Sequence, residues 1–243
     1  LIHAMKPDLW HKDTRYKRFG ENDDVGIGQG GHGTVFQGFD ELRQEMVYIK
    51  RQSKNGEAAA RETASYMMLE YFPHPNILRM YGMWTGNYVG NSYLYIAMEA
   101  CSTTLWKHVM EVDNPVEPRS FELFEVPEKS MLPIVKAVGH LHSLGVCHGD
   151  VSLSNILLTA TNDIRLADFG TVTAHTYLTK EKLCVAYMRP PETTLGSQKR
   201  GAAVDAWAVG LVGLALWTRQ VPTYSQSGFN KKKTTILKGA RSH

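Results

Sequence analysis

The sequence predicts an α+β chain of two lobes: an N-terminal antiparallel β-sheet lobe carrying one helix, followed by a mainly α-helical C-terminal lobe. Three observations predict it. Short apolar runs broken by Gly, Asn and Asp fill the first half, which is the pattern of strands. Longer stretches with apolar residues at helical spacing fill the second half. The length of 243 residues, with 43% hydrophobic and 21% charged residues, suits one large domain or a compact pair of lobes and argues against a wholly disordered, collagen-like or disulfide-scaffold chain. A strand-rich half preceding a helix-rich half places a cleft between them, where ligands are commonly bound.

In chain order, strands are expected at Val25 to Ile27, Thr34 to Phe39, Met46 to Ile49 and Tyr93 to Met98. A helix from Glu57 to Phe72 interrupts them. Ala60, Ala64, Met67, Met68 and Tyr71 recur along it at helical spacing, and Pro73 and Pro75 end it. Asp113 to Pro127, mostly polar with three prolines, reads as a surface loop. Helices follow at Glu128 to Leu144, stopped by Gly145, and at Val204 to Thr218. The run Ala206 to Trp217 is too short to span a bilayer and reads as a core helix, so no membrane partner is expected.

Cys101, Cys147 and Cys184 lie far apart with no C-x-x-C pair, which indicates neither a zinc nor a disulfide framework and fits a reducing, intracellular setting, cytoplasmic or nuclear. The net charge of +3 is unevenly spread. Residues 219–243 carry +6 and residues 1–20 carry +3, leaving −6 for the body between them. The expected organisation is a basic N-terminal extension over 1–20, a domain over 21–218 divided into lobes 21–100 and 101–218, and a basic tail over 219–243 expected to be disordered. Nucleic acid is not expected as a partner, because a single Lys-Lys-Lys run is usually a solvated tail or an import signal.

Gly28-Gln29-Gly30-Gly31-His32-Gly33 fits G-x-G-x-x-G. A dinucleotide fold needs a helix to open at the last glycine, whereas Thr34 to Phe39 reads as a second strand. Strand, glycine turn, strand is the form of a flap that lowers backbone amides onto phosphates. Lys50 closes the next apolar strand, Met46-Val47-Tyr48-Ile49, where its ammonium could meet phosphate oxygens. Alone, such a lysine is more often a solvated strand end.

The densest chemistry is His148-Gly149-Asp150-Val151-Ser152-Leu153-Ser154-Asn155, followed by Asp168-Phe169-Gly170. Ile156 to Leu158 and Ile164 to Leu166 flank the turn-forming Thr161-Asn162-Asp163. A hairpin with a four-residue loop pairs 158 with 165 and carries 155 to 168. Asn155 and Asp168 would then offer an amide oxygen and a carboxylate side by side, a hard-oxygen site suited to Mg²⁺. Asp150, on the same loop, could reach a hydroxyl there as a base.

With these motifs in this order, residues 21 to 218 resemble the eukaryotic protein kinase family, most closely its cyclin-dependent and MAP kinase group. Pro190-Pro191-Glu192 stands where A-P-E would be, and Asp205-Ala206-Trp207-Ala208-Val209-Gly210 resembles the family's D-x-W-x-x-G helix. The resemblance implies MgATP as cofactor, with Ile27, Gly28, Gly30, Gly33 and Val35 over the nucleotide and Lys50 on its phosphates, paired with Glu62. Met98 would be the gatekeeper, Glu99 and Cys101 would meet adenine through their backbone, and Leu157 would floor the pocket. Asp150 would accept the substrate hydroxyl proton, while Asn155 and Asp168 bind magnesium. The helix glutamate has two registers: Arg61-Glu62 fits the family's R-E pair, whereas counting back from His74 puts Ser65 in its place. Glu62 is favoured.

Several residues depart from the family. Tyr48 replaces a small residue above adenine, and Ser152 and Val185 replace the lysine and threonine that accompany the catalytic aspartate. Gly149 replaces an arginine that receives activation-loop phosphate, so activity is expected not to depend on phosphorylation at Thr171, Thr173, Thr176, Tyr177 or Thr179. Only 51 residues follow Glu192, which implies an incomplete C-terminal lobe. The expected function is ATP-dependent phosphoryl transfer to serine or threonine of a protein substrate, with room for a regulatory protein partner. The alternative is a catalytically weak or inactive pseudokinase that binds ATP or acts as a scaffold.

Overall fold

The computed structural model describes residues 15–18, 28–30, 33–110, 127–175, 188–194, 201–218 and 220. The placements expected for Ile27, Thr176, Tyr177, Thr179, Cys184 and Val185, and almost all of the basic tail, lie outside the described residues.

The N-terminal half builds one antiparallel six-stranded sheet: β1 (Tyr16–Arg18), β2 (Gly28–Gly30), β3 (Gly33–Asp40), β4 (Glu45–Ser53), β5 (Met80–Tyr88) and β6 (Asn91–Glu99). Its order is β1-β3-β4-β6-β5, with β2 also paired to β3. Strand β4 is central and buried on both faces. Val47 and Ile49 fill one face, while Lys50 and Gln52, also buried, turn to the other. Such two-sided burial is how a polar residue in an apolar strand comes to lie in an interior.

One helix, α1 (Glu57–Tyr71), packs on the sheet and ends ahead of Pro73, with the Phe72 N–H donating to Met68 O. Its apolar spacing pointed to the wrong face. Ala60, Ala64 and Tyr71 are exposed, and the inward face is Ala59, Glu62, Ser65, Tyr66 and Leu69. The helix is oriented by the ion pair that Glu62 makes with β4, described below, rather than by a methionine stripe.

Beyond β6 come β7 (Thr103–Thr104) and α2 (Leu105–Met110), then α3 (Pro127–Ser143), β8 (Val146–Cys147), β9 (Ile156–Leu158), β10 (Ile164–Leu166), β11 (Thr173–Ala174), the short α4 (Pro191–Thr194) and α5 (Ala202–Thr218). Helices α3 and α5 extend the same hydrophobic core into the C-terminal half, through Ile134, Ala137, Val138 and Leu141 on one and Ala208, Leu211, Val212, Ala215 and Leu216 on the other. No described helix is long and apolar enough to cross a membrane.

The β9–β10 hairpin forms, one residue out of the expected register. Ile156 pairs with Leu166, Leu157 with Arg165 and Leu158 with Ile164. The Thr159 N–H donates to Asp163 O, closing a three-residue loop, and Asn162 adopts a left-handed φ of 63°. A loop that ends on a left-handed residue is a standard three-residue hairpin, and asparagine is among the few residues that take that conformation cheaply. The pairing of 155 with 168 is thereby corrected: the Ala167 N–H donates to Asn155 O instead.

Backbone hydrogen bonds help to join the halves. The Leu78 N–H donates to Leu166 O and the Leu166 N–H to Asn76 O, so the segment after α1 rides on the hairpin. At the other edge of the sheet, Arg15 pairs with the buried Asp40, which also accepts from the Leu42 and Arg43 N–H groups. Burial acts to raise the Asp40 carboxyl, but the Arg15 hydrogen bond and charge with the backbone donors outweigh it, holding it below its ordinary 3.8. A depressed carboxyl stabilises the fold above its unfolded value and loses that contribution as pH falls through the folded one. In urea unfolding series from about pH 6 down to about pH 3, the wild type is expected to lose more stability than Asp40→Asn. Parallel curves would rule out this role for Asp40.

Candidate functional site

Lys50 lies on β4 opposite Val35 of β3 and Ile96 of β6. Its Nζ donates to Glu62 Oε1 at 2.8 Å and Oε2 at 2.9 Å, and to Asp168 Oδ1 at 3.1 Å. Gln52, two residues along the same face, donates from Nε2 to Glu62 Oε2 at 2.7 Å. Lys50 and Glu62 are 7% and 1% exposed, so this is an interior ion pair with Gln52 as a further donor to the carboxylate. Burial acts to lower the Lys50 ammonium pKa. The Glu62 and Asp168 charges outweigh it, so the ammonium ends above its ordinary value and is charged at neutral pH. The second candidate for the helix position, Ser65, donates to Arg61 O within its own helix.

A stack of rings carries this arrangement into the C-terminal half. Tyr66 meets Phe169 edge-on at 5.2 Å, and Phe169 meets His148 at 5.4 Å. His148 is fully buried. Its Nδ1 accepts from the Asp150 N–H, so the proton sits on Nε2, which donates to Ala167 O at 3.0 Å. This histidine therefore braces Asp150 and the chain before Asp168. Asp168 has a left-handed φ of 65°, a conformation costing a non-glycine residue on the order of 1–3 kcal/mol and concentrated at functional sites.

Asp150, 8% exposed, accepts from Asn155 Nδ2 at 2.9 Å, and the same amide nitrogen donates to the Asp150 carbonyl at 2.8 Å. With the Asn155 nitrogen committed twice to Asp150, Oδ1 is the atom it offers to a cation. An amide oxygen and the Asp168 carboxylate are hard donors, so the residues present fit Mg²⁺. Above them, Gly28 pairs with Val35 and Gly30 with Gly33, forming the glycine flap. Gly33 has φ 138°, and a Cβ there would collide with Arg51 O, so only glycine lets the flap close onto β4.

The other sequence-predicted residues line the same region. Met98, buried, faces Tyr48 across β4 and β6. The Glu99 carboxylate binds Arg165 Nε of β10 at 3.0 Å, and its N–H donates to Arg79 O, which fixes the segment leading to the buried Cys101. Leu157 lies on β9 between Thr104 and Arg165. Tyr48 is half-buried on the Lys50 side of β4, opposite Gln37 of β3. Burial pushes Cys101 and Cys147 up to about 12, so neither is a thiolate nucleophile at neutral pH. A cavity of about 900 Å³ is lined by Tyr66, Leu69, Pro73, Leu78, Glu99 and Arg165 among others, and Lys50, Asp150, Asn155 and Asp168 are not part of its lining.

Asp205 was missed as a site residue, although its D-x-W surroundings were noted. It is wholly buried at the start of α5, where it accepts from the His148 N–H and the Gly149 N–H at 2.8 Å each and from His142 Nε2 at 2.8 Å. It thus clamps the loop that presents Asp150. Gly149 itself has φ 82°, and a Cβ there would meet Thr171 O at 2.8 Å. Of the threonines considered for modification, Thr171 and Thr173 are buried, and Thr171 Oγ1 donates to His148 O. Arg61 Nε also reaches Gly170 O, tying α1 to the segment after Asp168.

Residues 22–242 match the family model described as Protein kinase domain. The chain is 27% identical over 201 residues to the mitogen-activated protein kinase mpkC of Aspergillus clavatus, covering 82% of this chain and 50% of that protein. It is 26% identical over 195 residues to cyclin-dependent kinase 10 of Mus musculus, covering 76% and 51%. Against a probable serine/threonine-protein kinase of Arabidopsis thaliana it is 27% identical over 202 residues, covering 79% and 27%. The chain therefore spans about half the length of the first two relatives and about a quarter of the third.

Proposed function

The chain belongs to the protein kinase domain family, and from that premise we propose that it transfers the γ-phosphoryl group of ATP to a serine or threonine hydroxyl of a protein substrate. The carrying observation is the triangle of Lys50 with Glu62 and Asp168, set beside the Asp150–Asn155 pair. Lys50, held charged and aimed by Glu62, binds phosphate oxygens under the glycine flap. Asp150, buried and oriented by Asn155, accepts the proton of the substrate hydroxyl as its oxygen bonds to phosphorus and ADP leaves. Magnesium, held by Asn155 and Asp168, supplies charge neutralisation on the phosphates when bound. Serine and threonine are preferred because the relatives include a probable serine/threonine-protein kinase and the motifs resemble the cyclin-dependent and MAP kinase group.

The test is transfer of labelled γ-phosphate to a generic basic protein with magnesium, followed by phosphoamino-acid analysis. Asp150→Asn is expected to lower the signal at least about 100-fold, the order of loss on removing a positioned acid–base group. Equal labelling by wild type and variant would defeat the proposal. A second reading, a nucleotide-binding protein with little or no turnover, is favoured by one observation: the half-buried Tyr48 phenol on the Lys50 side of the cleft. Magnesium-dependent ATP binding without any Asp150-dependent transfer would select it.

A further inference from the structure

One cluster of ligating side chains lies outside the phosphoryl-transfer site. His142 ends α3, the chain reverses at Gly145 with φ 79°, and Cys147 follows on β8. Strand β11 pairs antiparallel with β8, Thr173 opposite Cys147 and Ala174 opposite Val146, and the His175 N–H donates to Gly145 O. Side chains two apart on a strand share a face, so His175 falls on the same side of this ribbon as Cys147. The His142 and His175 rings meet edge-on at 5.3 Å. One ligand atom from each of His142, Cys147 and His175 lies within 4.8 Å of the others.

Two further facts point to a ligand. His175 Nε2 is buried yet has no hydrogen-bond partner among the described residues, an arrangement that ordinarily costs about 1–3 kcal/mol. His142 Nε2 lies 2.8 Å from Asp205 Oδ2, and a carboxylate only accepts, so Nε2 carries the proton and Nδ1 holds the lone pair. A carboxylate behind an imidazole is the usual outer support of a metal-bound histidine.

We propose that His142 Nδ1, Cys147 Sγ and His175 Nε2 form a Zn²⁺ site that fastens the end of α3 and the strand preceding Asp150 to the segment following Asp168. Two imidazoles and one thiol are borderline-soft donors that suit zinc, and three protein ligands leave a fourth tetrahedral position to water. Zinc bonds of about 2.0–2.3 Å bring ligand atoms to about 3.5 Å apart, so the cluster must draw in by about 1 Å. His175, part-exposed at the end of β11, has the freedom to do so. Binding displaces the Cys147 thiol proton to water, a preference that a bound cation enforces.

The test uses the full chain, stripped with chelator and titrated with Co²⁺ as a spectroscopic probe and then with Zn²⁺ in competition. One equivalent of Co²⁺ is expected to produce a thiolate-to-metal charge-transfer band and tetrahedral d–d bands, both displaced by Zn²⁺. The charge-transfer band should vanish in Cys147→Ser and persist in Cys101→Ser. His175→Ala, a part-exposed position that leaves the fold intact, should weaken binding on the order of 100-fold, the upper end of what loss of even an outer-shell partner costs. Zn²⁺ should also raise the melting temperature of the wild type and not of His175→Ala. Absence of the band at one equivalent, or a band of equal affinity in His175→Ala, overturns the proposal. Neither readout depends on phosphoryl transfer.

Discussion

Asp205→Ala is expected to lower the unfolding free energy by about 3–5 kcal/mol, the range for breaking a buried charged network by removing one partner. The carboxylate is wholly buried and accepts from three donors, the His148 N–H, the Gly149 N–H and His142 Nε2. Truncation leaves two backbone donors in an interior without acceptors, each costing about 1–3 kcal/mol, and opens a void beneath them. Asp205→Asn separates these contributions. Its single amide oxygen can serve Gly149 or His148, while the amide nitrogen confronts the other N–H, donor against donor. An intermediate loss is therefore expected, with Asp205→Asn between wild type and Asp205→Ala in urea unfolding midpoint. A loss below about 1 kcal/mol for Asp205→Ala would mean that the loop holding Asp150 is supported by other contacts. Because the loop is held in place here, the loss of phosphoryl transfer should exceed what the unfolded fraction accounts for.

Why the residues around Asp150 were readable in advance while Asp205 was not follows from how each acts. Lys50, Asp150, Asn155 and Asp168 lie within short motifs of fixed spacing, so composition and order alone single them out as candidates. Asp205 acts on backbone amides 56 and 57 residues away, and nothing in a local window reveals an acceptor whose donors are main-chain. Glu62 was caught between two registers for a related reason: its partner is on another element. The helix pattern even favoured the opposite face, because the apolar residues Ala60, Ala64 and Tyr71 are exposed while the inward face includes a carboxylate. A hydrophobic count cannot see burial driven by an ion pair. Strand β5, absent from the expected strands, contains Gly82 and Gly86. In the fold those positions lie under the Tyr16 and Tyr95 rings, which sandwich Trp84 at 5.2 and 5.5 Å. The hairpin register slipped by one because a left-handed Asn162 shortened the loop, a conformational choice that composition permits and does not dictate.

Lys50→Met is expected to lower kcat/KM for the proposed phosphoryl transfer on the order of 10² to 10³, judged from the loss of a single preorganised charge stabiliser elsewhere. Methionine fills much of the same volume without charge, so the variant also strands the Glu62 carboxylate, 1% exposed, with Gln52 Nε2 still donating to it. Glu62→Gln acts differently. The amide keeps an oxygen for Nζ but surrenders the charge, and Lys50 then has one carboxylate left, Asp168, at 3.1 Å. A lysine drawn toward Asp168 competes for a carboxylate that must also serve magnesium, so Glu62→Gln should raise the magnesium concentration needed for half-maximal rate and lower kcat/KM by a smaller factor than Lys50→Met. If Glu62 works only by aiming Lys50, adding Glu62→Gln to Lys50→Met should cost little further activity, because the residue it positions is already gone. Independent, multiplicative losses in the double variant would show that Glu62 supports the site through α1 itself. The contacts from Arg61 to Gly170 and from Tyr66 to Phe169 would then be the links to dissect.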